Sequence, residues 1–178
     1  MKVNPTEISG AFEITMPSSE DERGDFVKIL HKDAFVEHGL ETEFVESYYS
    51  TSVRGVIRGM HFQLPPHAHN KLVYAVEGSV MDVLLDLRKD SKTFKKFIAL
   101  ELSKGNRKSV YIPKGVAHGF EVISESATLV YMTTTVYSKE SDAGVLWNSI
   151  GYEWNNSGPN ISTRDKSFVS MDDFDSPF

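Results

Sequence analysis

Short segments with a two-residue alternation of apolar and polar side chains follow one another through residues 71–137 of this 178-residue chain. A glycine, a proline or a polar turn ends each of them: KLVYAV, SVMDVLLDLR, FKKFIALELS, KSVYIP, HGFEVIS and ATLVYMTTTVY. Such alternation places successive side chains on opposite faces of a β-strand. Short strands at this spacing are typical of a sandwich or barrel. The sequence therefore predicts an all-β fold, an antiparallel jelly roll with few short helices, formed by residues 1–178 as a single domain.

The sequence also supports three more local predictions. KLVYAV and SVMDVLLDLR are joined through Gly78, which favours a β-hairpin. The segment DAFVEHG favours a short helix with Asp33 as its N-cap and Gly39 just past its end. In ATLVYMTTTVY the alternation places four hydroxyl-bearing side chains on one strand face, which is unusually polar for a core: Tyr131, Thr133, Thr135 and Tyr137.

The charge and composition of the chain exclude several classes of function. Its net charge is -6, with acidic and basic residues interspersed, so we expect no nucleic acid as a partner. No segment approaches the roughly 20 apolar residues of a membrane span, and the N-terminus has no apolar run of signal-peptide length. We therefore expect a cytoplasmic protein with no membrane partner. The absence of cysteine excludes disulfides, thiolate metal sites and a cysteine nucleophile.

The segment YIPKGVAHGF resembles the second motif of the cupins, because Pro113, Gly115 and His118 reproduce the pattern P-x-G-x-x-H. Metal-binding cupins place a glutamate ligand seven residues before a glycine in their first motif, and this chain has Lys71 at that distance from Gly78. A charged lysine repels a metal ion and has no lone pair to give it. We therefore expect neither a metal nor another cofactor.

Two histidines, His67 and His69, leave a metal-dependent alternative open. Their i, i+2 spacing on a strand would point two imidazoles the same way, and His118 would complete the site of a metal-dependent cupin isomerase or dioxygenase. They follow Pro65-Pro66, however, which favours a loop. The simpler interpretation is that both are partly exposed loop histidines.

Six segments together resemble the dTDP-4-dehydrorhamnose 3,5-epimerase family: DERGDF, RGVIRGMHFQ, NKLVYAVEGSVMDVLLDLRKDSKTF, IPKGVAHGF, GVLWN and STRDK. Members of that family are metal-free cupins that invert carbon centres next to the ketone of a nucleotide-linked 4-keto-6-deoxy sugar. The resemblance implies an isomerase without a cofactor that takes a nucleotide-diphosphate sugar as substrate. It also implies a homodimer in which N-terminal strands cross to the partner and help to build its pocket. The choice between C3, C5 and both carbons stays open.

The chemistry of that family explains four residue types in this chain. A proton next to a ketone is weakly acidic, so its removal needs a base and a positive group at the oxygen that becomes an enolate. By resemblance, His61 is the base and Asp165 is the partner that fixes its tautomer. Lys71, which opens an apolar strand where a solvated lysine is unusual, would hold the oxyanion. Tyr131 would return a proton from the opposite side.

The alternation raises one difficulty for this assignment. In an unbroken strand Arg58 and His61 would point to opposite faces, although the family places both at the site. A β-bulge at Gly59 would bring them to the same face, and we expect one there.

The resemblance also implies a set of substrate contacts. Arg23 and Arg58 match the family's diphosphate and nucleotide contacts, and guanidinium groups suit phosphate oxygens. Arg164 stands where the family usually has a lysine. Further pocket positions fall on Phe26, His118, Tyr137 and Asp142.

The chain departs from the family's pattern at positions that resemble those gripping the nucleotide. Lys28 replaces a glutamate, Glu46 and Tyr48 replace a Q-x-N pair, and His69 replaces a glutamine. The two substitutions that introduce Lys28 and Glu46 look like a coupled change of charge at two positions. We therefore expect a salt bridge between these residues. The retained catalytic set favours epimerisation of a nucleotide-linked sugar, and the altered set leaves a nucleotide other than dTDP open.

A non-catalytic sugar-binding module is a further alternative. Such a protein would keep the pocket, and replacement of His61 would leave its ligand affinity intact. Retention of base, partner, oxyanion group and acid together favours the enzyme.

Overall fold

Two packed antiparallel sheets form the body of the protein in the computed structural model, which describes residues 1–178. One sheet has the strand order β1-β2-β10-β7-β12-β5 and the other β13-β6-β11-β8-β9, and β3 and β4 form a separate hairpin. This arrangement confirms the expected all-β jelly roll. The strands are β1 (Lys2–Pro5), β2 (Phe12–Thr15), β3 (Ser18–Asp21), β4 (Gly24–Val27), β5 (Glu46–Val53), β6 (Ile57–Gln63), β7 (Lys71–Glu77), β8 (Ser79–Asp86), β9 (Phe97–Ser103), β10 (Lys108–Ile112), β11 (Val116–Val122), β12 (Ser126–Thr133) and β13 (Asp142–Gly144). The helices are α1 (Lys32–Glu37) and α2 (Thr163–Lys166), with a 3-10 turn at Trp147–Ser149.

Apolar side chains are buried in three layers. The inner faces of the two sheets share one cluster, which includes Val73 from β7 and Leu84 from β8. The outer face of the five-stranded sheet is covered by the C-terminal part of the chain, through residues such as Met171. Helix α1 covers the outer face of the six-stranded sheet, where Phe35 packs with Leu72. The central strands are therefore buried on both faces. At one end of the barrel, their inner faces carry polar groups.

The expected hairpin through Gly78 is wrong. β7 pairs with β10 and β12, whereas β8 pairs with β9 and β11, so the chain passes from one sheet to the other at this glycine. Gly78 has a φ of +67°, and a Cβ there would lie 1.9 Å from the carbonyl oxygen of Ser126. Both strands bury both of their faces, so each is stabilised at the centre of its own sheet.

The short helix is present, but its N-terminus differs from the prediction. The N-cap position is His31, without a side-chain cap, and Asp33 lies inside the first turn, where its charge complements the helix dipole. The C-terminus agrees with the prediction. Gly39 has a φ of +68° and donates to Val36 O, while Leu40 donates to Phe35 O, which is the Schellman arrangement.

The polar face predicted through Tyr137 is shorter in the structure. Strand β12 ends at Thr133, whose hydroxyl donates to Thr135 O. The hydroxyl of Thr135 in turn donates to His67 O. These hydrogen bonds turn the chain away from the sheet, so Thr135 and Tyr137 lie beyond the strand.

The β-bulge expected at Gly59 is confirmed. In the β6–β11 ladder His61 pairs with His118 and Arg58 pairs with Phe120, so Gly59 and Met60 together oppose the single residue Gly119. The extra residue turns both Arg58 and His61 into the same cavity. Gly59 has a φ of +136°, and a Cβ there would lie 2.5 Å from the Cα of Gly119.

Neither of the two helices combines the length and apolar character needed to cross a membrane.

We predict that Gly59→Ala lowers the free energy of unfolding more than Gly24→Ala does. Gly24 also has a positive φ, +115°, but nothing lies within 4 Å of its added Cβ. Backbone strain of about 1–3 kcal/mol therefore acts in both variants, whereas the clash adds about 1–3 kcal/mol in Gly59→Ala alone. Urea denaturation measures both values, and equal losses would show that the close contact at the bulge has no energetic effect.

Candidate active site

A cavity of about 600 Å³ opens between the two sheets and gathers most of the residues singled out from the sequence. It is lined from the five-stranded sheet by Arg58, His61 and His118, and from the six-stranded sheet by residues that include Lys71 and Tyr131. The remaining residues on its wall that were singled out from the sequence are Glu46, Tyr48, His69, Tyr137, Asp142 and Arg164. Pocket-forming groups thus come from both sheets and from the loops at one end of the barrel.

His61 and Asp165 form a hydrogen-bonded pair at the wall of this cavity. The His61 Nε2 atom donates to Asp165 Oδ1 at 2.9 Å, and the Gly59 backbone N–H donates to Asp165 Oδ2 at 3.1 Å. Asp165 is held in α2, where its own N–H donates to the N-cap Ser162. Because Nε2 carries the proton in this hydrogen bond, a neutral His61 has its lone pair on Nδ1.

The electrostatics of the pair favour a neutral imidazole beside a charged carboxylate. Burial lowers the pKa of His61, and the carboxylate of Asp165 opposes that effect without cancelling it. Burial raises the pKa of Asp165, but hydrogen bonds from His61 and Gly59 outweigh it and hold the pKa below its ordinary value. At neutral pH His61 can therefore accept a proton, and the negative charge of Asp165 stabilises the imidazolium that forms.

Lys71 places an ammonium group inside the barrel. Its side chain lies on the inner face of β7 with Val73, and it is 6% exposed. The Nζ atom has one long hydrogen bond, 3.5 Å to His61 O. Burial lowers the pKa of Lys71 to about 8, with Asp142 and Asp82 acting in the opposite direction. The ammonium is mostly charged at neutral pH, so it can hold an oxyanion in the cavity.

Tyr131 is buried on β12, with its ring held by aromatic neighbours. It stacks on Tyr48 with ring centroids 4.8 Å apart, and it meets His118 edge-on at 6.1 Å. Its hydroxyl lies 3.0 Å from the Ser50 hydroxyl. Burial raises the pKa of Tyr131 above its ordinary value, so the phenol keeps its proton until a strong base such as a carbanion takes it.

His61 and Tyr131 come from opposite sheets. β6 belongs to the five-stranded sheet and β12 to the six-stranded sheet, and the cavity separates them. A planar enolate between the two sheets would have the base on one face and the phenol on the other. That arrangement can invert a carbon centre, because a proton removed from one face is replaced from the other.

The chain matches a known family of enzymes. The model of the dTDP-4-dehydrorhamnose 3,5-epimerase family matches residues 5–173. The chain is 42% identical over 180 residues to the dTDP-4-dehydrorhamnose 3,5-epimerase of Shigella flexneri, with 98% of this chain and 99% of that protein covered. The chain belongs to this epimerase family.

Solved structures of similar proteins agree with this assignment. The dTDP-4-dehydrorhamnose 3,5-epimerase of Elizabethkingia anophelis NUHP1 gives a TM-score of 0.91 at 38% identity, with 97% of each chain covered. The Bacillus anthracis str. Ames protein of the same name, solved with TDP and PPi bound, gives a TM-score of 0.92 at 35% identity, with 96% of this chain and 99% of that chain covered. Family membership confirms the resemblance, the cupin-type fold and the isomerase class.

A second histidine-carboxylate pair in this epimerase fold was not predicted from the sequence. The His118 Nε2 atom donates to Asp82 Oδ2 at 2.7 Å, and both residues are buried. The other oxygen, Asp82 Oδ1, has no hydrogen-bond partner. The sequence did contain a signal for Asp82. In the mostly apolar segment SVMDVLLDLR, the alternation places Asp82 on the face that carries the two aspartates, and this face points into the barrel.

The three histidines of the metal-dependent alternative have separate partners. His67 Nδ1 lies 3.0 Å from Ser141 Oγ, and His69 Nδ1 lies 3.1 Å from Gln63 Nε2. His118 is paired with Asp82 as described. No three histidine, aspartate or glutamate side chains form a group that could hold a metal ion, so the geometry gives no support to a metal-dependent cupin. His67 and His69 lie in a loop, as the two prolines before them predict.

The rim of the cavity carries a charged cluster. Arg164 Nη2 donates to Asp142 Oδ1 at 2.7 Å, and the Tyr137 hydroxyl donates to Asp142 Oδ2 at 3.3 Å. Arg58 Nε donates to Ser52 Oγ at 2.9 Å, and its Nη2 makes a long hydrogen bond of 3.5 Å to Thr51 O, so Nη1 remains available. Two guanidinium groups at one mouth are suited to a diphosphate.

Three predicted substrate contacts lie away from the cavity of their own chain. Arg23, Phe26 and Lys28 lie in or next to the β3–β4 hairpin, with the Arg23 side chain 84% exposed and Phe26 65% exposed. The expected salt bridge between Lys28 and Glu46 is wrong for a single chain: Glu46 accepts the backbone N–H of Tyr137 instead, and Lys28 makes no ion pair. The hairpin forms a two-stranded sheet of its own, whereas Glu46 begins β5 in the six-stranded sheet.

We predict that Asp165→Asn lowers the pKa of His61 further, because it removes the negative charge that opposes burial. Imidazole nitrogen shifts followed by NMR across a pH series measure this pKa. Asp82→Asn makes the same exchange at the neighbouring pair and should leave the His61 titration unchanged. A rise of the His61 pKa in Asp165→Asn would contradict the electrostatic role assigned to Asp165.

Proposed function

We propose that the protein epimerises a nucleotide-linked 4-keto-6-deoxy sugar, a dTDP-4-dehydrorhamnose 3,5-epimerase activity, with His61 as base and Tyr131 as acid. The observation that carries the proposal is the placement of these two groups on opposite sheets of one cavity. Family membership and the Shigella flexneri relative support the substrate class.

Each step of the reaction uses a group already in the cavity. The Nδ1 atom of His61 takes the proton from the carbon next to the ketone, and Asp165 stabilises the imidazolium. The ammonium of Lys71 holds the enolate oxygen. Tyr131 then donates its proton to the opposite face of the same carbon, and solvent restores both groups. The same pair can serve C3 or C5, depending on how the sugar ring sits, because both carbons flank the C4 ketone.

The nucleotide end of the substrate lies at the charged rim. Arg58 and Arg164 would bind the diphosphate, with Tyr137 and Asp142 beside them. The Bacillus anthracis relative was solved with TDP, which supports dTDP as the handle. Glu46 and Tyr48 line the same cavity with side chains that differ from the family's pattern, so the choice of nucleotide is the part of the proposal that a substrate panel must test.

We infer that the protein works as a homodimer in which the β3–β4 hairpin of one chain completes the site of the other. The exposure of Arg23, Phe26 and Lys28 on this hairpin supports the inference. So does the outer face of the edge strand β5, where Tyr49 and Val53 are exposed and would be buried by a second copy. The partner's Arg23 would then join the two arginines at the rim.

The catalytic roles predict a split between two measurable rates. His61→Ala should lower solvent-deuterium exchange at the sugar carbons about 10²–10⁴-fold, the usual contribution of a general base, and should abolish inversion. Tyr131→Phe should impair inversion far more than exchange, because His61 still removes the proton. NMR of a dTDP-4-keto-6-deoxy sugar in D₂O reports both rates, at C3 and C5 separately.

Two results would contradict these assignments. Equal, small losses of exchange and inversion in both variants would exclude the proposed base and acid. Undiminished biological output of His61→Ala, with unchanged ligand affinity, would instead support a non-catalytic sugar-binding module.

The shared site predicts complementation between two defective chains. His61→Ala and Arg23→Ala subunits are each impaired, but a mixed dimer contains one site with His61 and the partner's Arg23 both intact. Mixing equal amounts after reversible dissociation should recover roughly a quarter of the wild-type activity, since half of the dimers are mixed and each has one good site. Activity no higher than the mean of the two parents would show that each chain uses its own hairpin.

A further inference from the structure

The hydroxyl of Tyr131 has one hydrogen-bond partner in the protein, the hydroxyl of Ser50. The two oxygens are 3.0 Å apart, and Ser50 Oγ makes no other hydrogen bond. Ser50 lies on β5 two residues from Tyr48 and lines the same cavity. Within the protein, the hydroxyl groups of Ser50 and Tyr131 are therefore bonded to each other and to no other polar group of the wall.

The direction of this hydrogen bond follows from what an acid requires. If the Tyr131 hydroxyl donated to Ser50, its proton would point away from a sugar in the cavity. If Ser50 donates, the phenol proton is free to point at the substrate. The ring cannot turn to change this geometry, because it is stacked on Tyr48 and packed edge-on against His118.

We propose that Ser50 is a positioning residue that donates its hydroxyl proton to the Tyr131 oxygen and thereby makes Tyr131 a competent acid for inversion. The inference rests on the proposed function and adds a residue to it. The hydrogen bond donated by Ser50 lowers the free-energy cost of forming the Tyr131 phenolate in a buried site.

The role of Ser50 is greatest after proton transfer. Tyr131 breaks its O–H bond, the carbon of the enolate gains a C–H bond, and the negative charge moves from the enolate to the phenolate. Burial raises the pKa of Tyr131, and the hydrogen bond from Ser50 acts in the opposite direction. A hydrogen bond to a charged group is stronger than one to a neutral group, so Ser50 stabilises the phenolate more than the phenol. Solvent then returns a proton to Tyr131.

The strand offers a matched control for this proposal. Ser47 lies on the same strand, and its hydroxyl also bonds Tyr131, but it donates to the backbone carbonyl at 3.0 Å rather than to the phenol. Ser47→Ala therefore removes a serine hydroxyl from the same pair of strands without touching the acid. Ser50→Thr retains a hydroxyl at the position under test and suits a β-strand.

The experiment measures exchange and inversion of a dTDP-4-keto-6-deoxy sugar in D₂O for the wild type, Ser50→Ala, Ser50→Thr and Ser47→Ala. We expect Ser50→Ala to slow inversion about 10- to 100-fold, the effect of losing one hydrogen bond to a charged group. Its exchange rate should stay within about threefold of the wild type, because proton removal by His61 precedes the step. Ser50→Thr should restore inversion, and Ser47→Ala should match the wild type.

Three outcomes would overturn the proposal. The first two concern Ser50→Ala: inversion at the wild-type rate, or equal loss of exchange and inversion. The third is failure of Ser50→Thr to restore inversion although thermal unfolding of this variant is unchanged. Failure of the proposed function itself would be seen separately, as absence of both rates in the wild-type protein.

Discussion

The carboxylate of Asp165 is the group on which the rest of the site depends. One of its oxygens accepts the backbone N–H of Gly59 and the other accepts His61 Nε2. The first hydrogen bond holds the bulge that turns Arg58 and His61 into one cavity, and the second fixes the tautomer of His61. An unpaired buried carboxylate is costly, so the hydrogen bonds of Asp165 tie helix α2, the bulge in β6 and the imidazole to one another.

The two-sheet architecture determines which chemistry the cavity can perform. The proposed base, His61, lies on the five-stranded sheet, whereas Lys71 and Tyr131 lie on neighbouring strands of the six-stranded sheet. A sugar ring between the sheets is therefore exposed to a base on one side and to an ammonium and a phenol on the other. Burial favours the neutral forms of His61 and Tyr131, because it lowers the pKa of the imidazole and raises that of the phenol. It also lowers the pKa of Lys71, to about 8, but Asp142 and Asp82 oppose this effect, so the ammonium stays mostly charged at neutral pH.

Features that depend on side-chain alternation could be predicted from the sequence, and features that depend on pairing could not. The strands, the inward direction of Lys71 and the bulge at Gly59 all follow from which face a residue must occupy. The partners of β7 and β8 do not, because a buried strand has the same pattern in either sheet, and so the hairpin at Gly78 was wrong. The exposure of Arg23, away from the cavity of its own chain, likewise does not follow from motif matching, because a motif gives no position in space.

The most direct test of the account is solvent-deuterium incorporation into 4-keto-6-deoxy sugars carrying dTDP, CDP, UDP or GDP, followed by NMR in the presence of a chelator. The account predicts incorporation at C3 and C5 of the dTDP sugar with the chelator present, since His61, Lys71 and Tyr131 need no metal. Incorporation on another nucleotide alone would keep the chemistry and assign a different recognition role to Glu46 and Tyr48. Tight binding of one nucleotide sugar without any incorporation would contradict the central claim that His61 removes a proton.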